Sequence, residues 1–172
     1  FLRWDRRNAV VNKDVPADRT IPYDGLAKEM MDTAAAFSER SSNWWRRVGG
    51  VIARDGDILL SAHNQFAPSP HTPYIDGDPR NCFHRGTQGE YSTDEHVEAV
   101  MVAQAADRGL ALRGADLYIT TFPCPPCAKV VARSGIKRCF FASGYAVLDG
   151  AEHLKRTGVE LIFVEGAFDP KT

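Results

Sequence analysis

Leu117-Tyr118-Ile119-Thr120-Thr121-Phe122-Pro123-Cys124-Pro125-Pro126-Cys127 decides how this chain is read. Its first half, Leu117 to Phe122, is an apolar, aromatic and β-branched run of the kind a buried strand needs. Its second half places proline in the first turn of a helix, where a missing N–H costs nothing, and that helix ends at Gly135. A strand feeding a helix is the repeating unit of an α/β sheet, and here the junction carries two thiols. Upstream, His96-Val97-Glu98 opens another helix, so a third soft ligand and a carboxylate stand at a second helix start.

A His and two Cys can hold zinc and leave its fourth position open to water, whose pKa then falls to about 7. Helix N-termini carry partial positive charge and unpaired N–H groups, which favours thiolates at Cys124 and Cys127. Glu98 separates two kinds of site. A structural zinc wants four closed ligands and no neighbouring base, whereas a hydrolytic one wants an unligated carboxylate to carry protons. Cys124 and Cys127 by themselves also suit a redox pair, or half of a structural site in which Cys82 or His84 joins His96. Neither alternative uses Glu98. The expectation is one catalytic zinc on His96, Cys124 and Cys127, with Glu98 as the catalytic acid and base.

The chain has 172 residues, 44% of them apolar and 25% charged, which suits one ordinary globular domain. A net charge of −1 supplies no basic field for long nucleic acid and argues against a polynucleotide partner. Four cysteines, two of them in one C-x-x-C, do not form a secreted disulfide framework, and the thiols suit a reducing compartment. No apolar run reaches the roughly 18 residues of a spanning helix, and no signal-peptide pattern opens the chain. The expected setting is cytoplasmic, with no membrane partner.

Residues 1–22 show no periodicity and read as an arm or linker, leaving 23–172 as one domain. Asp24 caps a helix to about Arg40, with Leu26, Met30, Ala34 and Phe37 at helical spacing. Val48 to Ala53 and Ile58 to Ala62 form a hairpin about Asp55-Gly56. Asn64 to Tyr91 is a long, proline-rich and glycine-rich stretch, of a length that usually serves a function. Ser92 and Glu95 read as a capping box for the helix that ends at Gly109. Arg138 to Ala142 is a strand, Asp149 to Arg156 a helix, and Val159 to Val164 a last strand. This order predicts an α/β sandwich with helices on both faces of a mixed sheet.

From Val48 to Val164 the chain resembles the cytidine/deoxycytidylate deaminase superfamily, within it the deoxycytidylate deaminase-like branch. Arg40-Ser41, Val48-Gly49-Gly50-Val51-Ile52, Asn64, His96 with Glu98, and Gly114 to Thr120 carry the likeness. So do Pro123 to Lys129 and Ser134-Gly135-Ile136. The resemblance implies a three-layer αβα sandwich around a five-stranded sheet, one catalytic zinc and homo-oligomers. It also implies Asn64 at the substrate sugar and Tyr145 in the pocket wall. Turn formation and packing are the ordinary fates of those two residues. Two departures stand out. Val97 replaces an Ala, and Val100 stands where the branch carries an Asn that helps hold substrate. Gln65 to Pro70 contains no Gly, unlike the dCTP-regulated members.

The reaction so implied is hydrolytic deamination of a cytosine-containing nucleotide, dCMP to dUMP or a close relative. Hydroxide attacks C4 while Glu98 shuttles protons. Arg80 and Arg85 are the candidate phosphate ligands, since a guanidinium binds phosphate bidentately. A free base or nucleoside (cytosine, cytidine, guanine) is the alternative substrate, followed by a base within a polynucleotide. A zinc-stabilised nucleotide-binding module is the non-enzymatic alternative. A second zinc on His71, Cys82 and His84 is not expected.

Overall fold

Side-chain alternation along three neighbouring strands sorts the core into two faces. In the computed structural model, which describes residues 14–43, 46–77, 93–145 and 149–168, Leu117, Cys139 and Leu161 stand side by side. The next residues, Tyr118, Phe140 and Ile162, form the adjacent row. Successive strand residues point to opposite faces, so these rows belong to two different packing layers. The first row joins the core that contains Val97, Met101, Val131 and Leu154. The second joins Met30, Met31 and Ala34. Its Tyr118 and Phe140 rings stack at 4.3 Å.

The main sheet runs β1–β8–β7–β6–β2–β3, where β1 is Arg19–Pro22, β2 Gly49–Arg54 and β3 Asp57–His63. Strands β6 (Asp116–Ile119), β7 (Arg138–Phe141) and β8 (Glu160–Glu165) complete it. β1, β8, β7 and β6 are mutually parallel, and β2 and β3 are antiparallel to their neighbours. Helix α1 (Gly25–Ser38) covers one face. Helices α3 (Val97–Asp107), α4 (Pro125–Ser134) and α5 (Asp149–Arg156) cover the other. A short helix α2 (Thr72–Ile75) lies in the loop after β3. The expected αβα sandwich and all five expected strands are present.

Three local expectations are corrected. The sheet has six strands, because Arg19–Pro22, assigned to the arm, pairs in parallel with β8. It is held there by Asp18, which accepts the Leu161 N–H and meets Lys155. Glu95 does not cap a helix. Asp94–Glu95 is β5, a two-residue strand paired with β4 (Gln65–Phe66), so α3 begins after His96. Asp24 stands at the N-cap of α1 but makes no side-chain capping bond, and Leu26 is 47% exposed rather than facing the core. The hairpin is as expected: Asp55 and Gly56 both have positive φ, 53° and 91°, as a two-residue turn of matching twist requires. Among the described residues no helix is long and apolar enough to cross a membrane.

Candidate active site

Parallel strands of an open sheet deliver their following loops to one edge, and ligands bind there where neighbouring connections diverge. The loop after β6 is fixed by four bonds. Gly49 N–H donates to Thr120 Oγ1 and Thr120 N–H to Gly49 O, both at 3.1 Å. Phe122 N–H donates to Ser143 O at 2.8 Å, and Ser143 Oγ–H to Thr120 O at 2.9 Å. Cys124 is then the N-cap of α4, Pro125 and Pro126 fill its first turn, and Cys127 follows on the same turn. His96 is the N-cap of α3. That helix lies close to the sheet because Gly50 has no side chain: a Cβ there would stand 2.8 Å from Met101 Cε.

The three soft ligands meet. His96 Nδ1 lies 3.2 Å from Cys124 Sγ and 3.4 Å from Cys127 Sγ, and all three donor atoms lie within 4.8 Å of one another. Tetrahedral bonds of about 2.0–2.3 Å would set adjacent donors roughly 3.5 Å apart, so an imidazole and two thiolates here fit one zinc ion. Without an ion the three groups share protons over these short contacts, and zinc would displace them. Cys127 keeps its proton, held up chiefly by the hydrogen bond to Cys124. That bond draws Cys124 down to about 5, and the Cys124 sulfur in turn holds His96 charged, up to about 9. Replacing Cys127 or His96 by Ala is expected to abolish stoichiometric zinc, read by metal analysis of the purified protein. Cys139→Ala, which alters a buried thiol that is not one of the three converging donors, should retain it.

Glu98 enters the site from the first turn of α3, two residues past His96, and is 5% exposed. Burial lifts its carboxyl to about 7, and the negative sulfur of Cys124 adds to the lift. A cation held by the neighbouring ligands would draw it back down. Outside the cluster opens a cavity of about 720 Å³. Cys124, Cys127, His96 and Tyr145 line one side of it, and Ala99, Val100, Ala103 and Val130 line the apolar wall.

The candidate substrate contacts divide. Tyr145 lines the cavity, its phenol pushed up to about 12 by burial, with the Arg46 guanidinium 5.2 Å from its ring centre. Asn64 is buried behind the cavity wall. Its Oδ1 accepts the Val48 N–H at 2.8 Å, and its Nδ2 donates to Arg46 O and to Asp94. Val100, where the resembled branch carries Asn, faces the cavity. Arg80, Arg85, Cys82 and His84 lie outside the described residues, while His71 is exposed at the start of α2. Sequence reasoning missed Asp94, Gln65 and Arg46. Asp94 and Gln65 sit on strands of two residues each, and alternation cannot be read from two residues. Arg46 sits in an irregular loop.

Residues 25–143 match the family model for the cytidine and deoxycytidylate deaminase zinc-binding region. The chain is similar to the deoxycytidylate deaminase of Enterobacteria phage T4, 27% identical over 151 residues, spanning 69% of this chain and 78% of that protein. It is also similar, at 34% over 92 residues, to the riboflavin biosynthesis protein RibD of Bacillus amyloliquefaciens, covering 50% of this chain and 24% of RibD. Among solved structures, the dCMP deaminase of cyanophage S-TIM5 in complex with dCMP and dUMP superimposes with a TM-score of 0.64 at 25% identity. That match covers 80% of this chain and 95% of that one.

Proposed function

The chain belongs to the cytidine and deoxycytidylate deaminase zinc-binding family, and on that premise we propose that it deaminates a cytosine nucleotide, dCMP to dUMP or a close relative. One observation carries the reading: a buried carboxylate, Glu98, stands beside a three-ligand cluster of which it is not a member. Zinc held by His96, Cys124 and Cys127 supplies Lewis acidity that makes water nucleophilic at neutral pH. Glu98 takes a proton from the attacking water and delivers it to ring N3 as the C4–O bond forms. It then carries the second proton to the exocyclic amine. The C4–N bond breaks, ammonia leaves, and C4 keeps the oxygen. Tyr145 and the apolar wall of Ala99, Val100 and Val130 offer the base a surface that excludes bulk water. Similarity to deaminases that act on dCMP supports the nucleotide substrate, with Arg80 and Arg85 as the phosphate ligands. Homo-oligomers and a single zinc accompany the same reading.

A second substrate is favoured by a specific feature of the cavity. Its described lining holds Asp94 and Glu95 but no lysine or arginine, which suits an uncharged nucleoside or base. Ammonia release by the zinc-loaded protein from dCMP, dCTP, CMP, deoxycytidine, cytosine, guanine and adenosine separates the two. Turnover of dCMP with little from deoxycytidine is the expected result. Turnover confined to unphosphorylated compounds moves the assignment to nucleoside or base, and a silent panel with zinc bound overturns both and leaves a base within a polynucleotide or a zinc-stabilised binding module.

A further inference from the structure

The two sulfurs of the cluster have a second chemistry open to them. Cys124 and Cys127 stand three residues apart at the start of α4, and the Cys124 carbonyl accepts the Ala128 N–H at 2.8 Å. Three residues along one helical turn set Cα atoms about 5 Å apart. Disulfides span Cα separations of about 4.4–6.8 Å, so an S–S bond between these side chains leaves the helix in place. The sulfurs already converge: with His96 Nδ1 they lie within 4.8 Å of one another. His96 belongs to the start of α3 and takes no part in that closure.

Access sets this pair apart from the third described cysteine. Cys124 and Cys127 both line the cavity, although they are only 6% and 4% exposed. Sulfurs so nearly covered are within reach of an oxidant the size of water. A closed four-ligand zinc shields its thiolates, whereas a three-ligand site keeps one side open. Cys139 is fully buried in the row of Leu117 and Leu161 and does not line the cavity.

We propose that a hydroperoxide entering the cavity joins Cys124 to Cys127 as a disulfide and releases the zinc, a reversible lock on the site. One sulfur attacks the peroxide, the O–O bond breaks, and a sulfenic acid and a first water result. The other sulfur attacks that sulfenic sulfur, the S–O bond breaks, and a second water leaves. In sum, two thiolates give two electrons and the solvent two protons, the peroxide becomes two waters, and an S–S bond forms. A disulfide is no longer the thiolate pair that zinc requires, and His96 alone does not hold the ion. The second sulfur also spares the first, because a sulfenic acid without a neighbouring thiol passes on to sulfinic acid, which thiols do not reduce. The lock depends on the zinc site and not on which base is deaminated.

Hydrogen peroxide added to the zinc-loaded protein tests this, with zinc release read by a chromogenic chelator and oxidation by mass spectrometry of the chain and its peptides. One zinc per chain should appear as the chain becomes lighter by two hydrogens, with the loss mapped to a Cys124–Cys127 link. Dithiothreitol followed by fresh zinc should restore full metal content. A Cys82→Ser, Cys139→Ala protein, which keeps only the pair, should respond in the same way. Cys127→Ala, read by mass alone, should instead gain two oxygens at Cys124 that dithiothreitol does not remove. Zinc that stays bound in excess peroxide, a pair recovered as sulfinic acid, or a link to Cys82 or Cys139 overturns the proposal. Absence of stoichiometric zinc before peroxide is added overturns the zinc site instead, and the mass change still decides the disulfide.

Discussion

Glu98→Ala is expected to bind zinc and fold like the parent while losing about 10²–10⁴ in kcat, the usual worth of one positioned acid–base group. The separation of fold from activity follows from where Glu98 sits. It occupies the first turn of α3 but is not among the three donor atoms that converge on one point. The packing of that helix rests on Val97 and Met101, both fully buried. Taking a carboxyl out of water costs free energy in the folded state alone, and Glu98 is buried. Glu98→Gln, which keeps the volume and abolishes the charge, should therefore melt no earlier than the parent and be as inactive as the alanine variant. Initial rates on dCMP, metal content and a thermal melt of the three proteins decide the matter. Near-parental turnover in either variant would sink the assignment of proton transfer to this residue. A fall in zinc content that parallels the fall in rate would show Glu98 to be a ligand instead.

That site was legible because its chemistry is written at short range. His96 and Glu98 are two apart, Cys124 and Cys127 three apart, and each pair falls in the first turns of a helix expected from sequence, the second of them marked by Pro125 and Pro126. The five strands read from the sequence were legible because they are apolar: Leu117, Tyr118 and Ile119, all buried, betray a strand inside the sheet. The parts that sequence did not disclose are short or non-local. Strand β1 has four residues, of which only Ile21 is even partly buried, so no alternation marks it. It exists because β8 presents an open edge and Asp18 and Arg19 find Lys155 and Glu160 there. The anchoring of Asp94 is harder still, since it joins residues 51 and 30 positions apart that no local pattern connects. Asn64 shows the converse. Its position resembles a substrate contact, yet its oxygen holds the Val48 N–H and its amide holds Asp94, so it acts on the cavity through a neighbour.

The second large effect concerns the sheet rather than the chemistry: Gly49→Ala is expected to yield little folded protein. Gly49 lies at the start of β2, an interior strand between β3 and β6, directly beneath α1. A Cβ there would stand 1.9 Å from Ala34 O and 2.6 Å from Ser38 N. Both atoms belong to the backbone of α1, so no rotamer change can make room and the helix itself must retreat. Met30, Met31 and Ala34 on that helix form the layer against Val51, Tyr118 and Ile162, and all of them would lose contact together. Overpacking of a core commonly costs about 1–3 kcal/mol when side chains can yield. Here they cannot, and the loss should consume much of the roughly 5–15 kcal/mol that holds a domain of this kind. Gly49 N–H also donates to Thr120 Oγ1, so the displacement would reach the loop that carries Cys124. Gly56→Ala is the comparison. Gly56 has a positive φ of 91° but open space around it, and only the conformational cost of about 1 kcal/mol applies. Urea denaturation of both variants, with zinc content read in parallel, should give a near-parental midpoint for Gly56→Ala and no cooperative transition for Gly49→Ala. A cooperative, near-parental transition in Gly49→Ala would mean that α1 can lift from the sheet without cost, and the close approach of helix and strand would not be what holds this layer in place.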